Sequence, residues 1–228
     1  WGTATTTGKP QVVVNAASAS RGPWKVWALM DPDGWPTTTQ LITVRPKGDM
    51  TALSIEFLWA ILTSPVGNAF MHGFCGKRHL HTQTYEALPL PLHRNLKDCG
   101  AVERTVKTYI SKTRAADATS GLAAQAADEL KRLRLLVDAE VLKLYDLAPR
   151  DERAILDLFN GHRRPGVPFE QTEYFPREFR PCIPLHEYLS PEFRRSTAGE
   201  VRKIDFARQL TPHMKEALRR AGELQTRL

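Results

Sequence analysis

Several features that would indicate a class of protein are scarce in this sequence. Its 228 residues include only three cysteines, Cys75, Cys99 and Cys182, and an odd number at no recognisable spacing argues against a disulfide framework. We therefore expect reduced thiols and a cytoplasmic protein. We also expect no signal peptide. The apolar run at 53–62 is far shorter than the roughly 20 residues a membrane-spanning helix needs, so we expect no membrane partner.

Sequence signatures of catalysis are also missing. The chain has no glycine-rich phosphate loop or dinucleotide fingerprint and no nucleophile elbow. Pro32-Asp33 is similar to the start of a metal-nuclease motif, but arginine stands at position 45, where the acidic-x-Lys partner would need a carboxylate. Because proline presets φ and the following Gly34 accepts a positive φ, we interpret this stretch as a turn. We assign no catalytic residue.

Basic residues are in excess. The formal net charge is +7, and the sequence pI of about 9.5 exceeds the value of roughly 9 above which nucleic acid becomes a plausible partner. The excess is +2 over residues 1–50, zero over 51–93, +3 over 94–150 and +2 over 151–228. This distribution favours a cationic surface over a basic arm, although many soluble domains are mildly basic.

Residues 1–93 combine strand and helix patterns and predict an α+β domain. β-Branched density and alternation predict strands at 11–15, 24–30 and 37–45. The apolar run at 53–62 predicts a helix buried on nearly every side. Ser64-Pro65 would end that helix and start a second one, which would end near Gly73 and Gly76. The expected fold is a small mixed sheet with a buried helix pair.

The rest of the chain predicts helices and an ordered strap. Apolar residues at helical spacing over 102–113 and 122–144 predict an antiparallel hairpin, residues 94–147. Lys131, Arg132 and Arg134 lie beside its apolar seam, and we expect them on a solvated face. Residues 148–228 would form a short helix at 151–159, a strap rich in proline and aromatics at 161–191, and a last helix at 213–224.

Two basic stretches are candidates for contact with DNA. Arginine and lysine read guanine and glutamine reads adenine in the major groove, while threonine and backbone groups position phosphates. An ordinary solvated loop remains the alternative for each stretch. The candidate DNA-binding residues are Arg21, Lys25, Lys77, Arg78, His79, His81, Thr82 and Gln83.

The second stretch also contains possible metal ligands. His72, Cys75, His79 and His81 have the spacing H-x2-C-x3-H-x-H, which would suit zinc but matches no common zinc finger. A ligand-facing polar loop and incidental surface histidines are the alternatives, and we assign no metal. If 79–83 is extended, His79 and His81 lie on one face. Trp35 would either stack on a base or cap the core, and we favour the core.

The order of these segments resembles the target-recognition domains of restriction–modification systems. The similarity is to the specificity domain of adenine-specific DNA methyltransferases, including methylase–endonucleases, and to half of a type I specificity subunit. It covers roughly residues 9–160. Where those families have a helix ending in Asn-Ser-Pro, this chain has Thr63. The segments that carry the resemblance are KPQVVVNAASAS (9–20), WKVWALMDPDG (24–34), LSIEFLWAILTSPVGNAF (53–70) and YEALPLPL (85–92).

The resemblance implies a chain that recognises a double-stranded DNA sequence and is not itself catalytic. Its partners would be DNA and a methyltransferase catalytic domain or subunit. The catalytic Asn/Asp-Pro-Pro-aromatic motif is not in this sequence, so S-adenosylmethionine would bind that other domain and no cofactor is expected here. Since the chain starts with Trp1, we expect a domain upstream. The alternatives are a docking subunit that does not touch DNA and a small metal-dependent nuclease.

Overall fold

The computed structural model describes most of the chain. Its helices and strands confirm the α+β class. None of the helices among the described residues is both long and apolar enough to cross a membrane. The described residues are 8–46, 53–74, 79–91, 99–118, 124–197 and 199–201.

The sheet has three strands in the order β2-β1-β3, with β1 at Gln11–Asn15, β2 at Ala28–Asp31 and β3 at Leu41–Val44. Both pairings are antiparallel, and Val13 lies opposite Leu29 on one side and Thr43 on the other. The mixed sheet of the prediction is therefore an antiparallel one among the described strands. The connections between its strands contain no helix, whereas a parallel pair needs a long crossover, usually a helix.

The predicted helices that fall within the described residues occur in the predicted order, and three short helices there, at 82–86, 185–188 and 191–195, are additional to the prediction. The kink between the first two lies at Ser64, as predicted. Ser64 ends the first helix by donating from its hydroxyl to Ile61 O at 2.7 Å, and the same oxygen accepts the Gly67 N–H at 3.0 Å. The helices are α1 (Ile55–Thr63), α2 (Pro65–Phe74), α3 (Thr82–Glu86), α4 (Cys99–Ala118), α5 (Ala124–Tyr145), α6 (Pro149–Asp157), α7 (Leu185–Tyr188) and α8 (Pro191–Arg195).

Helix α1 is the centre of the main hydrophobic core. Every residue from 57 to 63 is buried, and the helix contacts β1, β2, α4 and α5. Trp59 stacks on Tyr109 of α4 with ring centroids 6.1 Å apart. The predicted hairpin, α4 with α5, therefore packs directly on the sheet-and-helix unit, and one core extends across the predicted boundary at residue 93.

The proline- and aromatic-rich segment lies over a second core, as predicted. Trp24, Phe159, Tyr174 and Leu185 are all buried there, and the Trp24 and Phe159 rings are 4.1 Å apart. The predicted last helix, 213–224, falls outside the described residues.

The expectation of a solvated arginine and lysine face on α5 is wrong for one residue. Arg132 is exposed and Lys131 is half-buried, but Arg134 is only 1% exposed. Arg134 comes one residue after the buried Leu133, so its stem points into the core. Partners far away in the sequence accept its hydrogen bonds there.

Candidate nucleic-acid interface

The two predicted DNA-contacting stretches lie next to each other. Ala17 and His79 form an antiparallel β-bridge, and the Leu80 N–H donates to Ala16 O at 2.8 Å. Leu80 is buried at 2% exposure and anchors this end of the second stretch in the core. The loop that carries Arg21 is thereby hydrogen-bonded to the segment that carries His79 and His81.

Asn15, the last residue of β1, holds the first loop in a defined shape. Its side-chain amide donates to Ala17 O and, at 2.9 Å, to Lys25 O. The side-chain oxygen of Asn15, Oδ1, accepts the Trp27 N–H at 2.6 Å. The Ser20 hydroxyl donates to Trp24 O at 2.6 Å. These bonds give hydrogen-bond partners to backbone groups at both ends of the loop. They therefore hold the backbone of residues 16–24 in place without regular secondary structure.

Lys25 follows this loop directly, and its side chain folds back onto it. It is only 8% exposed, and its ammonium group donates to Ser20 O at 3.4 Å and Arg21 O at 3.3 Å. The backbone N–H groups of Lys25 and Val26 both donate to the buried Asn68 side chain of α2, at 2.8 and 2.9 Å. The position of Lys25 therefore suits shaping the loop more than reaching a phosphate.

The remaining described candidates face solvent. Arg21, His79, His81, Thr82 and Gln83 are all exposed. His79 and His81 flank the buried Leu80, so alternation places both imidazoles on the outer side, as predicted for an extended segment. The extension ends there, because α3 begins at Thr82. Lys77 and Arg78 lie outside the described residues.

Two histidines that the sequence prediction left out of the interface lie close to the first loop. A Cβ built on Gly22 would be 2.6 Å from His162 Nδ1, and Trp24 Nε1 donates to His162 O at 3.1 Å. Burial, Lys25 and His162 together lower the pKa of His72. The only sequence signal for this contact is the basic run His162 to Arg164, which lies in the strap.

Trp35 differs from its prediction. We favoured the core, but the side chain is 68% exposed. Only the backbone of Trp35 is held by these hydrogen bonds. The Trp35 N–H donates to Asp31 Oδ2 at 2.7 Å, and Gln11 Nε2 donates to Trp35 O at 2.7 Å. Gly34, with φ of +68°, completes the predicted turn and turns the indole outward.

The possible zinc ligands do not form a cluster within the described residues, where no group of three metal-ligating side chains comes together. His72 is half-buried at the end of α2, and His79 and His81 are exposed beyond it. Cys75, the fourth residue of that pattern, lies outside the described residues.

Comparison with known proteins gives no relative. No family model matches the chain, and neither a curated protein nor a solved structure matches it.

Proposed function

We propose that this chain is the DNA-specificity part of a restriction–modification adenine methyltransferase or methylase–endonuclease. In this proposal the paired loops, residues 16–24 and 79–83, contact double-stranded DNA. A separate catalytic domain or subunit, which binds S-adenosylmethionine, extrudes the target adenine from the duplex and methylates it.

The observation that carries the proposal is the bridge between Ala17 and His79. It brings two stretches that were separately predicted to contact DNA into one surface. That surface presents an arginine, two imidazoles, a hydroxyl and a carboxamide to solvent, from Arg21, His79, His81, Thr82 and Gln83. These are the side-chain types that bind phosphates and read base edges.

The local charge also supports a polyanionic partner. No aspartate or glutamate occurs between residues 8 and 30 or between 79 and 85. DNA brings one phosphate charge per roughly 1.7 Å of helix axis, so a carboxylate at the contact would be repelled. An acid-free pair of loops avoids that cost, and His162 at Gly22 adds a further base beside the first loop.

The rigidity of the scaffold supports sequence reading over loose binding. The first loop is tied to β1 through Asn15 and to α2 through Asn68, and the second is tied to the first. Hydrogen bonds to the backbone fix the path of both loops, which reduces the backbone entropy lost when they bind DNA.

The test is selection from a duplex library with a randomised central region, followed by competition binding. A specificity domain should enrich one sequence and bind it at least about 10³-fold more tightly than a scrambled duplex. The double variant Arg21→Gln/Gln83→Ala should lose this preference for the selected sequence over the scrambled duplex. The control variant carries Arg114→Gln and Ser196→Ala, which change an exposed arginine of α4 and a half-buried serine that follows α8, and should keep it. No enrichment by the wild-type chain would contradict the proposal.

A further inference from the structure

A buried group of charged side chains joins α1, α5 and the strap. Arg134 and Asp138 of α5 are 1% and 0% exposed, and Arg164 is 4% exposed. Arg164 donates through Nη1 and Nη2 to the two carboxylate oxygens of Asp138, and the Tyr174 hydroxyl donates to the same carboxylate at 2.8 Å. Arg134 Nη2 lies 3.4 Å from Asp138 Oδ1.

The charges in this group do not balance. Two guanidinium groups share one carboxylate, which leaves one positive charge without a counter-ion among the described residues. The Thr63 carbonyl at the end of α1 accepts Arg134 Nη2 at 3.0 Å and Arg164 Nη2 at 2.6 Å. A helix C-terminus carries only about half a negative charge. Burying a net charge is costly unless it is paired, so this part of the core is short of an anion.

Aromatic faces cover part of the excess charge. The Arg134 guanidinium carbon is 4.7 Å from the Trp59 ring centroid, and that of Arg164 is 4.5 Å from the Trp24 centroid. Such cation–π contacts stabilise a desolvated cation, but by less than a full counter-charge does. Burial, and next the neighbouring Arg164, lower the pKa of Arg134 to about 10, and the shared Asp138 carboxylate offsets only part of that.

A small cavity lies against the two arginines. Its volume is about 30 Å³, more than the roughly 10–15 Å³ that a cavity needs on this scale to hold one water molecule. Arg134 Nη1 is buried and has no hydrogen-bond partner among the described residues. No carboxylate lines the cavity, so its interior is next to the cations and not next to Asp138. The lining residues that matter here are Arg134, Arg164, Trp24, Trp27, Trp59 and Tyr109.

We propose that this cavity binds one small monovalent anion of the size of chloride, held by Arg134 Nη1 beside Arg164. The small volume favours a small anion over a phosphate ester or a carboxylate metabolite. A water molecule would satisfy the Nη1 donor but would leave the net charge in place, whereas a monovalent anion meets both requirements. The bound anion would link α1, α5 and the strap. This inference stands independently of the proposed function.

The first experiment is thermal unfolding at constant ionic strength, with sodium chloride replaced stepwise by sodium gluconate, an anion too large for the cavity. Because a ligand that binds only the folded state stabilises it by mass action, Tm should rise with chloride concentration and then saturate. The Arg134→Gln variant should lose this response. Arg132→Gln, which changes an exposed arginine of the same helix, should keep it. Equal Tm values in chloride and gluconate for the wild type would overturn the proposal.

A second measurement covers the case in which Arg134→Gln does not fold. Crystals of the wild-type chain soaked in sodium bromide should give an anomalous scattering peak beside Arg134 Nη1. A peak at that position supports the site. Its absence, with a water molecule in its place, overturns the proposal whatever the variant does.

Discussion

Arg164 of the strap and Asp138 of α5, 26 residues apart, form a buried bidentate ion pair. Their side chains are 3% and 0% exposed. The same arginine lies over Trp24, the last residue of the loop containing Arg21. The strap therefore connects the helical hairpin to the candidate DNA-contacting loop through one side chain, and its residues belong to the scaffold of that loop.

Replacing Asp138 by asparagine should be severely destabilising. Removing one partner of a buried pair leaves an uncompensated charge and typically costs about 3–5 kcal/mol; here two arginines would lose their carboxylate. Chemical denaturation would measure the free energy of unfolding. The matched control is Asp157→Asn, which breaks the ion pair between Asp157 and Arg153. The Asp157 side chain is 44% exposed, so this variant should lose at most about 1 kcal/mol of unfolding free energy. Similar losses of unfolding free energy in the two variants would show that burial of the Asp138 carboxylate does not determine how much it stabilises the fold.

Two glycines of α2 should respond to alanine in opposite directions. A Cβ on Gly67 would lie 2.4 Å from Ile61 O, whereas a Cβ on Gly73 meets nothing within 4 Å. Gly67→Ala should therefore destabilise the fold by about 1–3 kcal/mol, because α1 and α2 must separate at the kink. Gly73→Ala should stabilise it by up to about 1 kcal/mol, because alanine is the better helix former. Thermal and denaturant unfolding of both variants tests this, and a stable Gly67→Ala protein would refute the close packing at Ser64.

Asn68 should be essential for the shape of the first loop. Its side-chain oxygen accepts two backbone N–H groups, from Lys25 and Val26. Asn68→Ala leaves both donors buried without an acceptor, at about 1–3 kcal/mol each. Amide hydrogen exchange at residues 25 and 26 should become faster, and DNA affinity should fall although no DNA-contacting side chain has changed. Asn160→Ala, an exposed asparagine, is the control. Unchanged exchange in Asn68→Ala would exclude this role.

Asp31 should contribute stability that is lost in acid. Burial opposes its charged form, but hydrogen bonds from Gln11 and from the backbone of Trp35, Gly34 and Asp33 lower its pKa below 3.8 overall. The unfolded chain then binds more protons than the folded one at low pH, so stability falls as the pH drops below about 4.

The Asp31→Asn variant measures that contribution. It should be less stable than the wild type at pH 7, and the difference should narrow as the pH falls from about 4 towards 2. The free energy of unfolding, measured for the wild type and for Asp31→Asn at a series of pH values, gives the two stability curves to compare. Asp33→Asn, which changes the neighbouring exposed carboxylate, should follow the wild-type curve. A constant difference between wild type and Asp31→Asn across this range would show that the ionised carboxylate is not what the turn requires.

The features that the sequence predicted well are those set by neighbouring residues. Ser64-Pro65 stops one helix and begins the next because of the chemistry of serine and proline, and Asp31 to Gly34 turns because of its own side chains. The apolar stripes of α4 and α5 likewise follow helical spacing. These effects act within a few residues, so a single sequence is enough to predict them.

The features that were missed depend on distant partners. Nothing near Lys25 indicates that Asn68 will bind its backbone and bury it, and Arg134 looked solvated because Thr63 and Asp138 were not known to meet it. For Trp35, beside a turn, the core is the favoured prediction, but the hydrogen-bonded turn directs the side chain outward. The bridge from Ala17 to His79 could not be predicted, since it depends on how the whole unit folds.

The most direct test of the account is the salt dependence of duplex binding. Affinity of the wild-type chain for its selected duplex should fall linearly on a log–log plot against salt, with a slope near −0.9 for each phosphate neutralised. Removing the Arg21 charge by Arg21→Gln should make the slope shallower by about one such unit, whereas Arg114→Gln, on the hairpin, should leave it unchanged. Undetectable binding at low salt, or equal slopes for all three proteins, would contradict DNA recognition by the paired loops.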